Sequence, residues 1–428
     1  MKIPPVKGTR DFYPEEMRVH NFIVDGWKQA SVRNGFEEYD GPIFEHLQMY
    51  KVKSGDEIAE QLFSLTDRGG RELAIRPEIT PTLARMVNQK INSLPRPIKW
   101  FSVPRLCRAE RPQKGRLREF FQWNVDIIGV DDVLADAEVI FAAVDYLRSV
   151  GLTEKDIQVK YSSRKVLTLY LKSLGIAENK LSEVYRILDK REKIPADVFE
   201  KMLSDCLSDK KIVTKVLDYM EKKMIVEDIA RLEKTNKEMT DAFKELYDLN
   251  EYLKDMGIDE YCVEEPSIVR GLAYYTGIVF EIHDSVGDLR AICGGGRFDN
   301  LLHDFGGPSI SATGFGMGDC VLEILLEERG LLKDRLQKGK TDYFVAYAEE
   351  LYKRDAVDLV AQLRGKNKIA NFSYKGGGLG KQLKEASMQN AGKCVIIGSE
   401  SERGELAIKD MATGEQVTVK EEEFFKSL

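Results

Sequence analysis

The segment FSVPRLCRAERPQKGRLREFFQWNVDIIGV, residues 101–130, constrains the fold more than any other stretch. Two strand-like runs flank a polar, glycine-containing connection, so the chain has to turn back and pair with itself as an antiparallel hairpin. Between Arg105 and Arg118 six basic residues stand against the single acid Glu110, in a chain whose net charge is -7. An acidic body argues against non-specific nucleic-acid binding, whereas a concentrated positive hairpin suits a partner held at one place.

The surrounding sequence supplies a sheet for that hairpin. Residues 18–34 have helical spacing through Val19, Phe22, Ile23, Trp27 and Ala30, ended by Asn34-Gly35. LFSL, the turn TDRGG and ELAIRP read as strand, turn and returning strand, and DVLADAEVIFAAVDYLRSVG as an amphipathic helix closed by Gly151. Residues 176–255 are charged, helical in period and nearly free of glycine, which suits a helical insertion that is either a spacer or an arm touching a partner. Strand-like sequence resumes in GIVFEIHD, AICGGGRFDNLL and SATGFGMGDCVLEILLEERG. A polar linker at 331–340 leads to alternating strand and helix patterns over 341–428. Six basic residues and no acid fall between Arg364 and Lys384 in this module, which makes it a plausible nucleic-acid reader. The expected class is α+β: an antiparallel sheet flanked by helices in a domain spanning 1–330, the insertion, and a C-terminal α/β domain.

Several function classes are excluded. The opening MKIPPVKGTRDF has no apolar run resembling a secretory signal, and no apolar stretch nears the roughly 18 residues of a membrane helix. The six cysteines (107, 206, 262, 293, 320 and 394) form no C-x-x-C pair, and with only four histidines no metal-ligand spacing arises. Idle thiols in a reducing cytoplasm are the simplest account of them. The glycine-rich runs fit neither a GxxxxGK[ST] loop nor a GxGxxG fingerprint.

Candidate chemistry lies in pairs two residues apart, which share a strand face. Arg108 and Glu110 pair a phosphate-gripping fork with an acceptor for an amine or a metal-phosphate group, and Phe120 with Gln122 repeats the spacing on the return. Aromatic rings beside arginines suit a stacked purine; a solvated basic loop is the alternative. Glu78 and Thr80 can hold the ammonium of a small zwitterion, or Thr80 is only a helix cap. In VRGLAYYTGIVFE, Arg270 precedes Tyr274 and Tyr275 and either faces an anion or stacks on the rings. GFGMG leaves one strand face bare, open to a flat ligand or marking only a bulge.

Taken together, KGTRDFYP, the Pro42 segment, RPEITP, CRAERPQKGRLREFFQW, VRGLAYYTG and CGGGRFDNL resemble histidyl-tRNA synthetases of the class II aminoacyl-tRNA synthetases, over essentially the whole chain. The resemblance implies ATP-dependent ligation of L-histidine to tRNA(His) through a histidyl-adenylate, by a cytoplasmic homodimer using Mg2+ and neither a membrane nor DNA. It implies that Glu78 and Thr80 bind the α-amino group, that Arg108 and Arg270 grip the α-phosphate, and that Gln122 and Asp126 line the amino-acid pocket. Asp126 and Tyr275 would read the imidazole, supported by Tyr274. Phe120 would stack under adenine, Glu110 and Arg116 would serve the ATP tail and its magnesium, and Gln113 and Lys114 would touch the tRNA acceptor end. The last 88 residues (341–428) would form an anticodon-binding domain.

Two positions depart from the pattern. Cys320 and Val321 stand where the third class II motif usually carries glutamate and arginine, so either a neighbour such as Arg116 or Arg297 covers the nucleotide or its binding is weakened. Ala273 stands where aspartate is usual. The competing reading is a non-catalytic paralogue that regulates an ATP phosphoribosyltransferase, although such proteins usually lack the C-terminal module and often lose catalytic arginines.

Overall fold

The N-terminal helix α1 (Pro14–Arg33) buries Val19, Ile23, Trp27 and Ala30 at helical spacing, and so presents one apolar stripe. In the computed structural model, which describes residues 3–54, 62–191, 194–221, 236–270, 274–286, 289–333 and 341–428, that stripe lies on the back of a large sheet. Two compact units span Met1–Leu332 and Lys333–Leu428.

The first unit contributes β1 (Glu37–Glu38), β2 (Phe44–His46), β3 (Ser64–Thr66), β4 (Glu72–Ile75), β5 (Ile98–Ser102), β6 (Arg105–Cys107), β7 (Glu119–Ile128), β8 (Ile157–Ser163), β9 (Cys262–Glu264), β10 (Ile278–Asp284), β11 (Cys293–Arg297) and β12 (Ala312–Gly318). Nine of these form the main sheet among the described residues, in the order β1-β5-β7-β12-β11-β10-β8-β9, with β6 pairing β7. Its central pairs are antiparallel, while the outer pairs β1-β5 and β8-β9 are parallel. The sequence reading needs a correction here, because the hairpin of β3 and β4 lies with β2 in a separate three-stranded sheet.

The ten-residue β7 shows why the sheet has two different faces. Trp123, Val125 and Ile127 point to the back and are 0–2% exposed. Trp123 lies 6.2 Å from Trp27, 5.5 Å from Tyr146 and 4.9 Å from Phe315 between ring centroids. Its indole N–H donates to Ser31 Oγ at 2.8 Å. Burial of each such side chain contributes roughly 1.5–3 kcal/mol. Tyr146 belongs to the helix α4 (Leu134–Ser149), which joins α1 on this back face. Gln122, Asn124 and Asp126 are left to the front.

The helical insertion starts directly from β8, where Ser163 Oγ accepts from the Val166 N–H at 3.2 Å as a helix cap. Described helices run Arg164–Ser173, Glu178–Leu188, Ala196–Leu207, Lys210–Met220 and Lys237–Asp255. The helical run therefore begins upstream of the 176 expected from composition, and the chain re-enters the sheet at β9. The second unit is a five-stranded sheet of β13 (Thr341–Tyr347), β14 (Ala370–Phe372), β15 (Ala391–Ile397), β16 (Glu405–Asp410) and β17 (Gln416–Lys420), in the order β14-β13-β15-β16-β17. Helices Lys353–Gly365 and Leu379–Met388 pack against its strands.

Arg297 ties the back of the first unit together. Its Nε and Nη2 donate to Asp136 Oδ2 at 2.9 and 2.5 Å, and its other donors reach the Val130 and Asp132 carbonyls and Ser311. Burial pushes the Asp136 carboxyl up to about 6, against the opposing pull of Arg297 and of Thr313. Removal of Arg297 leaves that carboxyl higher still. An acid whose folded pKa lies above its unfolded value loses stability as pH rises through the interval. Arg297→Met is therefore expected to cost about 3–5 kcal/mol, with a larger deficit near about pH 8 than near about pH 5. Urea unfolding at both pH values measures it, and an equal loss at the two would contradict the pairing.

Candidate functional site

On the front of the sheet the central strands carry almost no side chains. Strand register sets Asn124, Gly316, Gly294 and Glu281 in one row and Asp126, Gly314, Gly296 and Val279 in the next. Opposed residues of antiparallel strands share a face, so four glycines floor a bare strip between β7 and β10. Each glycine makes room for a named side chain. A Cβ on Gly294 would overlap the Arg270 guanidinium, and one on Gly314 would overlap the Asp126 carboxylate. One on Gly316 would come to 2.7 Å of Gln122 Nε2, and one on Gly296 would meet the Ile278 carbonyl oxygen at 2.5 Å and then Tyr275 Cδ1 at 3.0 Å.

Arg270 is fixed from several sides. Its φ of +51 is in the left-handed region, a strained backbone for a residue with a Cβ. The buried Arg164 holds that backbone by donating to the Val269 and Arg270 carbonyls at 2.8 and 3.1 Å. Nη1 donates to Glu281 Oε1 at 3.0 Å, and the guanidinium carbon lies 5.6 Å from the Tyr275 ring centroid. Burial pulls the Arg270 pKa down, but Tyr275, Glu281 and Tyr274 outweigh it and hold the group above its usual value.

Arg108 approaches the same space from just past the end of β6. Its backbone N–H continues the ladder to the Arg118 carbonyl at 2.8 Å, and its Nε donates to the Pro77 carbonyl at 3.1 Å. Burial lowers its pKa; Glu78 and Tyr274 oppose that fall, while Arg270 adds to it. Glu78, Arg270 and Asp126 all act on the Tyr274 hydroxyl, whose pKa burial raises first. Residues scattered from 78 to 275 thus converge on one space, with Tyr274 and Tyr275 4.6 Å apart between ring centroids. Tyr275 and Phe298 belong to the apolar cluster with Ile79, Leu83 and Val279 that closes the Asp126 end.

The basic hairpin forms the other end. Gln113 and Arg116 exchange two backbone hydrogen bonds of 2.9 Å across a tight turn, with Gly115 at φ +71. Arg116 pairs with Glu110, and Lys114 Nζ lies 3.3 Å from Glu328. Phe120 is only 9% exposed and has the Arg108 guanidinium 5.0 Å from its ring centroid, so one face of the ring is already covered. Thr80 begins the helix α3 (Thr80–Lys90), whose cap position is Ile79 and has no side-chain cap bond, so capping does not explain that hydroxyl.

Some expectations fail in this geometry. Arg297 faces α4, away from the glycine floor, and cannot cover a nucleotide there. Val321 is buried, with Cγ2 2.9 Å from the place of a Cβ on Gly115, and Cys320 Sγ donates to Asp319. Ala273 lies outside the described residues. Among those described, no group of three or more His, Cys, Asp or Glu is placed to hold a metal. Glu281 went unread in the sequence; its signal was the register of GIVFEIHD opposite the glycine run, where it reaches both Arg270 and His283 Nε2, the latter at 3.1 Å. Asp319 was missed too. It is buried, pairs with Arg10 of the N-terminal segment and accepts from the Phe121 N–H at 3.0 Å, fixing the base of the hairpin.

Comparison with known proteins identifies the family. A family model described as histidyl-tRNA synthetase matches residues 8–318, and one described as an anticodon binding domain matches 339–428. A chloroplastic/mitochondrial histidine-tRNA ligase of Arabidopsis thaliana is 40% identical over 419 residues, covering 98% of this chain and 85% of that protein. A histidine-tRNA ligase of Opitutus terrae is 38% identical, covering 97% and 95%. In fold, the crystal structure of a histidyl-tRNA synthetase from Nostoc sp. PCC 7120 superimposes with a TM-score of 0.79 at 24% identity, over 100% of both chains.

Gly294→Ala tests the floor. The added methyl meets the far end of a flexible side chain, so the unfolding free energy is expected to change by no more than about 1–2 kcal/mol. A crystal structure of the variant is expected to show the Arg270–Glu281 bond broken. An intact bond would show that the glycine is not what admits the guanidinium.

Proposed function

Because the chain belongs to the histidyl-tRNA synthetase family, we propose that the space above the glycine floor is where it activates histidine and passes it to tRNA. The protein is a histidine-tRNA ligase: it couples ATP cleavage to ligation of L-histidine to its tRNA. The observation that carries the site assignment is the convergence of Arg108 and Arg270 beside Glu78, Tyr274 and Asp126.

In this reading Glu78 and Thr80 hold the α-ammonium of histidine at the start of α3. Asp126 accepts from an imidazole N–H, Tyr275 closes that pocket with Tyr274 behind it, and Gln122 lines the approach. The carboxylate of histidine attacks the α-phosphorus of ATP, giving histidyl-adenylate and pyrophosphate. The terminal ribose hydroxyl of the tRNA then attacks the adenylate carbonyl and releases AMP. No protein atom needs to bond to the substrate. The side chains hold the reactants in line, and Arg108 and Arg270 meet the charge that grows on the phosphoryl oxygens.

Phe120 serves the adenine, sharing its ring with Arg108. Arg116 and Glu110 serve the phosphate tail, and Gln113 and Lys114 at the turn are presented to the acceptor end. Magnesium bound to ATP takes few protein ligands and keeps several waters. The lone carboxylate of Glu110 fits an ion carried in by the nucleotide, where it would neutralise phosphate charge, better than an ion caged by protein. In the C-terminal module Tyr374 is 77% exposed beside Phe372, within the basic stretch, which suits stacking with single-stranded bases. Exposed Ile43, Phe44 and Leu65 on and beside the small sheet suit burial against a second copy. The six cysteines are free thiols, which suits a cytoplasmic setting. The domain reading follows the same division: catalytic domain over 1–330, anticodon reader over 341–428.

The test is histidine-dependent exchange of pyrophosphate into ATP. The purified protein is expected to catalyse it, and Arg270→Ala to lower its kcat about 100-fold or more, while histidine binding changes little because the charge acts chiefly in the transition state. Histidine binding without exchange in the unaltered protein would favour the regulatory paralogue. Equal losses of binding and rate in the variant would remove Arg270 from its role.

A further inference from the structure

The phosphate-tail end of the site holds a cation that the assignments above do not use. At the hairpin turn, helix Asp319–Glu328 contributes the buried aliphatic side chain of Val321 beside Gly115, and so no charge. The same turn is reached by Arg290, which stands just before β11, the strand that carries Gly294. Its Nη1 donates to Gln113 Oε1 at 3.4 Å, and the residue is exposed. Arg116, in that turn, has its pKa lowered by burial and then by two like charges, Arg290 and Arg108. Arg290 and Arg108 therefore each lie close enough to oppose Arg116, which is paired with the Glu110 carboxylate. Like charges gathered around Arg116 favour a polyanion, and a chain of linked phosphates can engage several guanidinium forks where one isolated anion cannot.

We infer that Arg290 binds the pyrophosphate end of ATP, providing from the β10–β11 connection the positive charge that Val321 does not provide from the helix. This rests on Arg108 marking the α-phosphate. From there Arg116 and Arg290 continue along the hairpin toward the β- and γ-phosphates. The exposed position leaves the guanidinium free to swing from the neutral Gln113 amide, a weak partner, to an anion.

Arg290→Gln removes the charge while keeping hydrogen-bonding capacity, and its exposure predicts an unchanged unfolding midpoint. In histidine-dependent pyrophosphate exchange, without tRNA, the variant is expected to raise KM for ATP about 10-fold, with KM for histidine unchanged. Arg290→Lys is expected to recover most of the loss. Calorimetric titration of unaltered protein and variant with magnesium-ATP makes the same comparison independently of catalysis. An absence of exchange in the unaltered protein would therefore count against the functional reading while the ATP affinities still decide this one. Equal ATP affinity for the two proteins would overturn it. So would a defect confined to KM for tRNA in the charging reaction, which would assign Arg290 to the acceptor end instead.

Discussion

Two guanidinium groups from distant parts of the chain lie near enough for Arg270 to oppose Arg108, and holding both beside one partly buried space is the constraint that the glycine floor and the flanking carboxylates meet. Arg108 is depressed by burial and by Arg270; both remain charged because carboxylates and carbonyls are set behind them. Pro77 and Glu78 stand behind the first, and Glu281 behind the second. An anion between them relieves the repulsion, and it relieves it most when its charge is greatest. That is the condition under which a site stabilises a phosphoryl transition state more than the ground state.

The bare strip beneath makes the convergence possible. Beta strands ordinarily project a side chain every second residue, and a row of Cβ atoms across β11 and β12 would occupy the space that Arg270, Tyr275, Asp126 and Gln122 use. The back of the same sheet is the reverse case, with Trp123, Phe315 and Phe280 packed to near-zero exposure. One alternating pattern thus gives a rigid apolar back and an accessible polar front. The rigidity matters, since small misplacement of phosphate-binding groups costs rate steeply.

Much of this was legible in the sequence because it lay in local pattern. The hairpin, the glycine alternation of GFGMG and the Phe120–Gln122 pair follow strand period, whereas Arg108 and Glu110 lie beyond the end of β6 and Glu78 and Thr80 at the start of α3. What was not legible depended on register between strands far apart in sequence. Glu281 looks like an ordinary polar residue within GIVFEIHD until it is set opposite Gly294. Arg297 sits one residue beyond the glycine run and looked available for a nucleotide, yet strand alternation turns it to the back, where it binds Asp136. The β3-β4 hairpin was recognisable, but which sheet it joined was not, since a hairpin's own turn says nothing of its neighbours. The departure at Cys320 and Val321 was visible, whereas the position of Arg290 beside the same turn required the fold.

The most direct measurement is a crystal structure of the protein with a non-hydrolysable histidyl-adenylate analogue. The account requires the guanidinium groups of Arg108 and Arg270 both to donate hydrogen bonds to the phosphate-mimicking oxygens, with the imidazole against Asp126 at the closed end of the glycine floor. An analogue seated elsewhere, or seated there while both arginines keep only their Pro77 and Glu281 partners, would contradict it.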